Sequence, residues 1–338
     1  MRILVTGGCG FIGSHFVRLL MERQPDCDVV NLDKMTYAAS EANVAEVADN
    51  PRYTFVKGDI GDTEVIRGAL EGCTHVVNFA AESHVDRSIH GAVDFIETDV
   101  LGTYILLRGA HEAGVQRFLQ VSTDEVYGSI QAGSFTEGDH LVPSSPYSAS
   151  KAGGDLQALA YMHTYDFPVI ITRGSNTYGQ NQYPEKLIPL FITNALEGLP
   201  LPVYGDGRQV RDWIHARDHA SGILAALMVG TPGEIYNVGG GNEHENIWIT
   251  QRILELTGAS EELITYVQDR PGHDLRYSLD THKLRGLGWE PQITFEQGLE
   301  ETARWYQDNR AWWEPIKSGE FREFYEQQYK DRLTKAPA

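Results

Sequence analysis

Residues 3–13, Ile3-Leu4-Val5-Thr6-Gly7-Gly8-Cys9-Gly10-Phe11-Ile12-Gly13, decide the fold. An apolar run of strand character ends in three glycines spaced G-x-x-G-x-x-G (Gly7, Gly10 and Gly13), and a helical pattern then runs from Gly13 to Arg23. Glycine permits a tight turn and lets the backbone approach a pyrophosphate closely. The N-terminus of the following helix offers unpaired N–H groups to the anion. Glycine spacing alone is weak evidence, and its context decides. Here Asp33 closes a second apolar run, Val29-Val30-Asn31-Leu32. A carboxylate at that place accepts hydrogen bonds from an adenosine ribose and repels a 2′-phosphate, which favours NAD over NADP. Asp59, after a third run at Tyr53–Val56, is placed either at the adenine edge or as a plain turn residue.

Working outward, short apolar runs alternate with helical patterns through the first half of the chain. Further strands are expected at His75–Phe79, Arg117–Val121 and Val169–Thr172, with helices at Thr63–Leu70, about Val93–Ala113 and Ser148–Tyr165. Runs that are apolar throughout and separated by helices indicate a parallel sheet covered on both faces. The fold class is therefore α/β, a Rossmann doubly wound parallel sheet over residues 1–173. Beyond about Gly174 proline and glycine become frequent and elements shorten. Residues 174–338 are expected to form mainly a smaller α/β substrate lobe, with segments near 205–240 returning to the first domain. The last dozen residues are polar and expected to be loosely held.

Composition narrows the partners. The chain has 338 residues, 47 acidic against 28 basic, and a net charge of -19. Nucleic acid and anionic membranes repel that charge, so neither is expected as a partner. An anionic small molecule would need a local basic cluster, and Lys186, Arg211 and Arg270 are the candidates. Three cysteines, Cys9, Cys27 and Cys73, at wide spacing give neither a disulfide framework nor a CxxC site, and suggest a reducing cytoplasm. No signal peptide is read ahead of the first strand. No apolar run approaches the roughly 18 residues that a membrane span needs. His215, Asp218 and His219 share a helical face, but no third ligand accompanies the histidines, so no metal is expected.

The chemistry is concentrated in two short segments. In Tyr147-Ser148-Ala149-Ser150-Lys151 the phenol and the amine stand four residues apart, on one helix face, with Pro146 at the helix start. An ammonium beside a phenol favours the phenolate, so Tyr147 is expected to act as a base. The second segment is Ser122-Thr123-Asp124-Glu125-Val126-Tyr127-Gly128, at the end of the fifth strand. Two adjacent carboxyls in a closed site tend to split their pKa values, leaving one as acid and one as base.

Together with the glycine turn, the Tyr-Lys pair resembles the extended short-chain dehydrogenases/reductases. Asn78-Phe79-Ala80-Ala81-Glu82-Ser83-His84-Val85-Asp86 is similar to that family's motif after the fourth strand. Thr-Asp-Glu before Val-Tyr-Gly is similar to the dTDP-glucose 4,6-dehydratases within it. The likeness extends through Pro184-Glu185-Lys186-Leu187-Ile188-Pro189, Tyr204-Gly205-Asp206-Gly207 and residues 270–277.

The resemblance implies NAD as cofactor, held by Gly7, Gly10, Phe11, Ile12, Gly13, Asp33, Asp59, Ile60, Ala80, Ala81, Tyr147 and Lys151. It implies Thr123, Asp124, Glu125, Tyr147 and Lys151 as the catalytic set. Ser83, Thr123, Asn176, Lys186, Leu187, Pro202, Tyr204, Arg211, Asn246, Arg270, His273 and Tyr277 would line the sugar-nucleotide pocket, with the two arginines on the diphosphate and Tyr204 on the base. The implied reaction converts dTDP-glucose to dTDP-4-keto-6-deoxyglucose and water in deoxysugar biosynthesis. A homodimer packed through the two long helices is also implied. A 4-epimerase or decarboxylase of the same family, or a 4,6-dehydratase of another nucleotide sugar, stays open, although Asp124-Glu125 argues against the first two. A non-catalytic NAD-sensing module would be expected to lack Tyr147 or Lys151. Two positions depart from the family pattern: Thr177 stands where asparagine is usual and Gln180 where proline is usual.

Overall fold

Alternate residues of the first strand enter different cores. In the computed structural model, which describes residues 1–334, β1 spans Arg2–Thr6. Ile3 and Val5 pack with Phe16, Leu20, Ile223 and Leu227 on one face. Leu4 packs with Val30, Ile66, Leu106 and Ala158 on the other. A strand buried on both faces must be apolar at every position, which is why Ile3-Leu4-Val5 reads as an unbroken run.

The sheet that β1 centres has six further strands: β2 (Asp28–Asp33), β3 (Tyr53–Lys57), β4 (His75–Asn78), β5 (Arg117–Thr123), β6 (Val169–Gly174) and, after three strands of the smaller lobe, Ile235–Val238. Its order is Ile235–Val238, β6, β5, β4, β1, β2, β3, and every neighbouring pair is parallel. From β1 the chain first builds outward through β2 and β3, then restarts at β4 and builds the other way. The β1–β4 junction is therefore the switch point, where an open crevice forms beyond the strand ends. The helix Ala216–Val229 packs against Phe11–Arg23, and the strand Ile235–Val238 follows it along β6.

The smaller lobe carries β7 (Asn176–Tyr178), β8 (Leu201–Tyr204) and β9 (Val210–His215), so Ile235–Val238 is β10, followed by β11 (Glu243–Glu245) and β12 (Ile264–Val267). These make two small sheets, β11-β9-β7 and β12-β8, over a core that includes Phe191, Trp213, Ile249, Phe295 and Trp313.

Two expectations need correction. The helix expected over Val93–Ala113 is not uniform: Val93–Phe95 and Thr103–Glu112 are α-helical, but Ile96–Gly102 is a π-helix. The apolar pattern continues through it, so periodicity could not reveal the change of winding. The last dozen residues are not loose as far as they are described. The helix Glu320–Thr334 buries Gln328 and Tyr329, and Tyr329 lies beside Tyr204. Residues 335–338 lie outside the described residues.

One buried ion pair braces the floor beneath the strand ends. Arg173, at the end of β6, donates from Nε to Asp155 Oδ2 at 2.9 Å, and both side chains are almost wholly buried. Removing one partner leaves the other charge without compensation in a low-dielectric interior. Asp155→Leu should lower the unfolding free energy by about 3–5 kcal/mol, and adding Arg173→Met should recover much of it. Urea unfolding of the two variants checks this.

Candidate active site

The glycine loop is shaped by what it cannot accommodate. Gly7 has φ +69°, and a Cβ there would lie 2.8 Å from the Ala80 backbone nitrogen. A Cβ on Gly13 would lie 2.2 Å from the Gly7 carbonyl oxygen. β1 and β4 thus approach each other backbone to backbone at the switch point, and the loop folds onto the helix start. Asp33 binds this loop to the segment after β2: Cys9 N–H donates to Oδ2 at 2.9 Å and Met35 N–H to Oδ1 at 2.8 Å. Burial raises the Asp33 pKa, against the pull of those two donors. Asp59 pairs with Lys34 at 2.8 Å. Burial pushes its carboxyl up, but the Lys34 ammonium and the Gly61 N–H outweigh that and hold it low.

Every residue expected to hold the cofactor lines one cavity above these strand ends, and so do Thr123, Asp124, Glu125, Tyr147 and Lys151. Tyr147 and Lys151 stand in the first turns of the helix Pro146–Tyr165. Ser145 and Ser148 cap it reciprocally, each side chain meeting the other's backbone N–H. Lys151 Nζ donates to the Val121 carbonyl at 3.0 Å. Ser150 Oγ donates to the buried Asp99, on the π-helix, at 2.6 Å.

Tyr147 lies one helical turn before Lys151 in this helix. The phenol is pushed well above its ordinary value, first by burial and then by Glu125, Asp99 and Asp124, against a hydrogen bond with Thr123. Negative charge from those groups opposes ionisation of the phenol, and a neighbouring cation favours it.

β5 ends at Thr123, and a 3₁₀ turn, Asp124–Tyr127, carries both carboxyls. Asp124 is buried; Thr123 Oγ1 donates to its Oδ1 at 3.1 Å, while Oδ2 has no hydrogen-bond partner among the described residues. Burial, then Glu125 and Asp212, hold the Asp124 pKa well above the carboxylate range. Glu125 is also raised by burial, but Arg270, Lys186 and Arg211 pull it back. The neighbours therefore differ in environment: the leading charged influences are two acids on Asp124 and three cations on Glu125.

The residues expected around the sugar nucleotide divide into two groups. Ser83, Thr123, Asn176 and Lys186 line the cavity. Arg211, Arg270, Tyr204, His273 and Tyr277 lie outside its lining as an adjoining cluster. The Arg211 guanidinium lies 4.3 Å from the Tyr277 ring centre, and Tyr204 meets His273 edge to face at 5.9 Å. Arg270 pairs with the buried Asp86 at 2.9 Å, while its Nε has no hydrogen-bond partner among the described residues. Leu187, Pro202 and Asn246 also lie outside the lining: Leu187 packs on the lobe core, Pro202 is in β8, and Asn246 begins the helix Asn246–Thr257.

Reading the sequence missed Glu82, Tyr183, Glu185 and His219, which also line the cavity. Glu185 was within a quoted motif, but its partners come from remote segments. Of the two departures, Thr177 lines the cavity and touches His219 Nδ1 at 2.7 Å. Gln180 offers its carbonyl to His15 Nε2 at 3.0 Å.

A family model described as GDP-mannose 4,6 dehydratase matches residues 4–302. The chain belongs to this family. It is 50% identical to a dTDP-glucose 4,6-dehydratase of Actinoplanes sp., over 93% of this chain and all of that protein. The crystal structure of DesIV, a dTDP-glucose 4,6-dehydratase from Streptomyces venezuelae with NAD and TYD bound, superposes with a TM-score of 0.92. It is 56% identical and covers 94% of this chain and 100% of its own. A Thermus thermophilus UDP-glucose 4-epimerase in complex with NAD gives a TM-score of 0.85 at 31% identity, over 91% of this chain and 100% of its own. Dehydratases and epimerases thus share the fold, and the dehydratases share far more of the sequence.

The Gly13 contact gives a direct check of the loop. Gly13→Ala, which forces a Cβ against the Gly7 carbonyl, should weaken NAD binding at least about tenfold, since the phosphate-binding turn must open. Calorimetric titration of both proteins measures it.

Proposed function

We propose that this chain is an NAD-dependent 4,6-dehydratase that converts dTDP-glucose to dTDP-4-keto-6-deoxyglucose and water. The observation that carries the reading is the pair Asp124-Glu125 in the same cavity as Tyr147 and Lys151, with acids as the leading charged influences on Asp124 and cations as those on Glu125. Half or more sequence identity with named dTDP-glucose 4,6-dehydratases supports the substrate.

The residues fit the cofactor: glycines that exclude a Cβ cradle a pyrophosphate, and Asp33 suits a free ribose hydroxyl. When bound, NAD would supply the hydride acceptor for C4 and the hydride donor for C6. Lys151 and Tyr147, which line the cavity, would hold its ribose side. Tyr147 takes the proton of the C4 hydroxyl, and Thr123 hydrogen-bonds the C4 oxygen. With C4 a ketone, the C5 proton becomes acidic, and Glu125 removes it as general base. Asp124, kept protonated by burial and by its acidic neighbours, gives a proton to the departing C6 hydroxyl. Glu125, protonated by the elimination, then returns a proton to C5. The sugar loses one water, no net oxidation remains, and the class is hydro-lyase. Arg211 and Arg270 supply the positive charge that a diphosphate needs within a chain of net charge -19.

The enzyme works as a homodimer in the cytoplasm. Val93, Ile96, Leu101 and Leu156 are exposed apolar residues on the two helical runs that a partner would cover. The three cysteines are free and buried, and no helix among the described residues is long and apolar enough to cross a membrane. Light scattering should give twice the chain mass, and Leu156→Asp should halve it.

Incubation with dTDP-glucose should yield the 4-keto-6-deoxy product, with UDP-glucose a poorer substrate; no product from either contradicts the proposal. Asp124→Asn should leave C4 oxidation intact and slow water loss by roughly a hundredfold or more. Turnover should fall at low pH as Glu125 is protonated and at high pH as Asp124 ionises. Both raised carboxyls move that window above the ordinary carboxylate range.

A further inference from the structure

Residues 34–39 form one lip of the cavity, with Lys34, Thr36, Ala38 and Ala39 facing it. Tyr183, Glu185 and Lys186 of the smaller lobe form another. Tyr37 reaches between the two. Its hydroxyl donates to Glu185 Oε1 at 2.9 Å, and Arg87 Nε donates to Glu185 Oε2 at 2.9 Å. Both oxygens of one carboxylate are thus held from different parts of the chain. The Glu185 side chain is 1% exposed, so these charge-assisted bonds form in a low-dielectric setting.

Aromatic packing reinforces them. The Arg87 guanidinium lies 4.0 Å from the Tyr37 ring centre and 4.3 Å from that of Phe324, on the C-terminal helix. The Tyr183 ring meets Tyr37 edge to face at 5.1 Å. The lip is tied down behind Tyr37 as well: Ser40 N–H donates to the Cys9 carbonyl at 3.1 Å, and Asn43 Nδ2 to the same oxygen at 3.0 Å. The lip therefore bridges the glycine loop and the substrate lobe, fastened at both ends.

We propose that Tyr37, Glu185 and Arg87 form a latch that keeps the dinucleotide in the cavity through the whole reaction, with Arg87 as a positioning residue. The inference rests on the proposed NAD-dependent reaction. In that reaction the hydride taken from C4 must return to C6 of the same sugar. A cofactor that left between the two transfers would carry the hydride away and strand the sugar, so slow release serves the chemistry. A strap across the two lips of the cavity slows that release.

The test reads cofactor exchange without any sugar nucleotide. Wild type, Tyr37→Phe, Arg87→Met and Arg87→Lys are loaded with radiolabelled NAD and chased with excess unlabelled NAD. Tyr37→Phe keeps the ring and removes one hydrogen bond; Arg87→Met removes the cation. Each should speed exchange about tenfold, as expected for a lost buried hydrogen bond to a charged group. Arg87→Lys should fall between. Excess NAD should restore turnover of Arg87→Met, which damage to the catalytic groups would not allow. Exchange at the wild-type rate in Tyr37→Phe and Arg87→Met overturns the latch alone. A wild type that retains no labelled NAD overturns the cofactor reading, and the latch with it.

Discussion

The structure depends on a close backbone approach at the junction of β1 and β4. Gly7 lies so near Phe79 and Ala80 that no side chain fits between them. From that junction the chain builds its sheet in opposite directions, and the crevice opens where the two halves diverge. The glycine loop, the Asp33 carboxylate, the ends of β5 and β6 and the start of the helix Pro146–Tyr165 all border it. A parallel sheet forces these ends to the same edge, so groups from distant parts of the sequence meet in one cavity.

Electrostatics then sort the groups. The chain is strongly acidic, yet three cations, the half-buried Arg270 and Lys186 and the buried Arg211, act on Glu125. Asp124, one residue away, has Glu125 and Asp212 as its leading charged influences. Burial raises both carboxyls, and the difference between them comes from their neighbours. Burial first, and then Glu125, Asp99 and Asp124, raise the Tyr147 phenol in the same way. Burial makes each charge matter more than it would in water.

Much of this was legible in the sequence, for a physical reason. Strands buried on both faces must be largely apolar, so β1, β2, β4, β5 and β6 stand out as runs, while β3 is an edge strand only partly buried. The glycine spacing is legible because the close approach tolerates nothing larger. Asp124 and Glu125 are legible because adjacency in sequence is adjacency in space. What escaped was set by long-range contact. The π-helix Ile96–Gly102 keeps an apolar pattern and differs only in winding. Glu185 looks like one acid in a loop until the fold brings Tyr37 and Arg87 to its two oxygens. The polar C-terminus gave no hint that Gln328 and Tyr329 would be buried beside Tyr204, because polarity in a helix says little about what its apolar members meet.

The central claim is that oxidation, elimination and hydride return take place on one sugar in one cavity. Its most direct test is dTDP-glucose carrying deuterium at C4, converted in ordinary water and examined by NMR. The account predicts deuterium at C6 of the 4-keto-6-deoxy product and a solvent proton at C5. Loss of the C4 deuterium to solvent, or a product that retains the C6 hydroxyl, would contradict it.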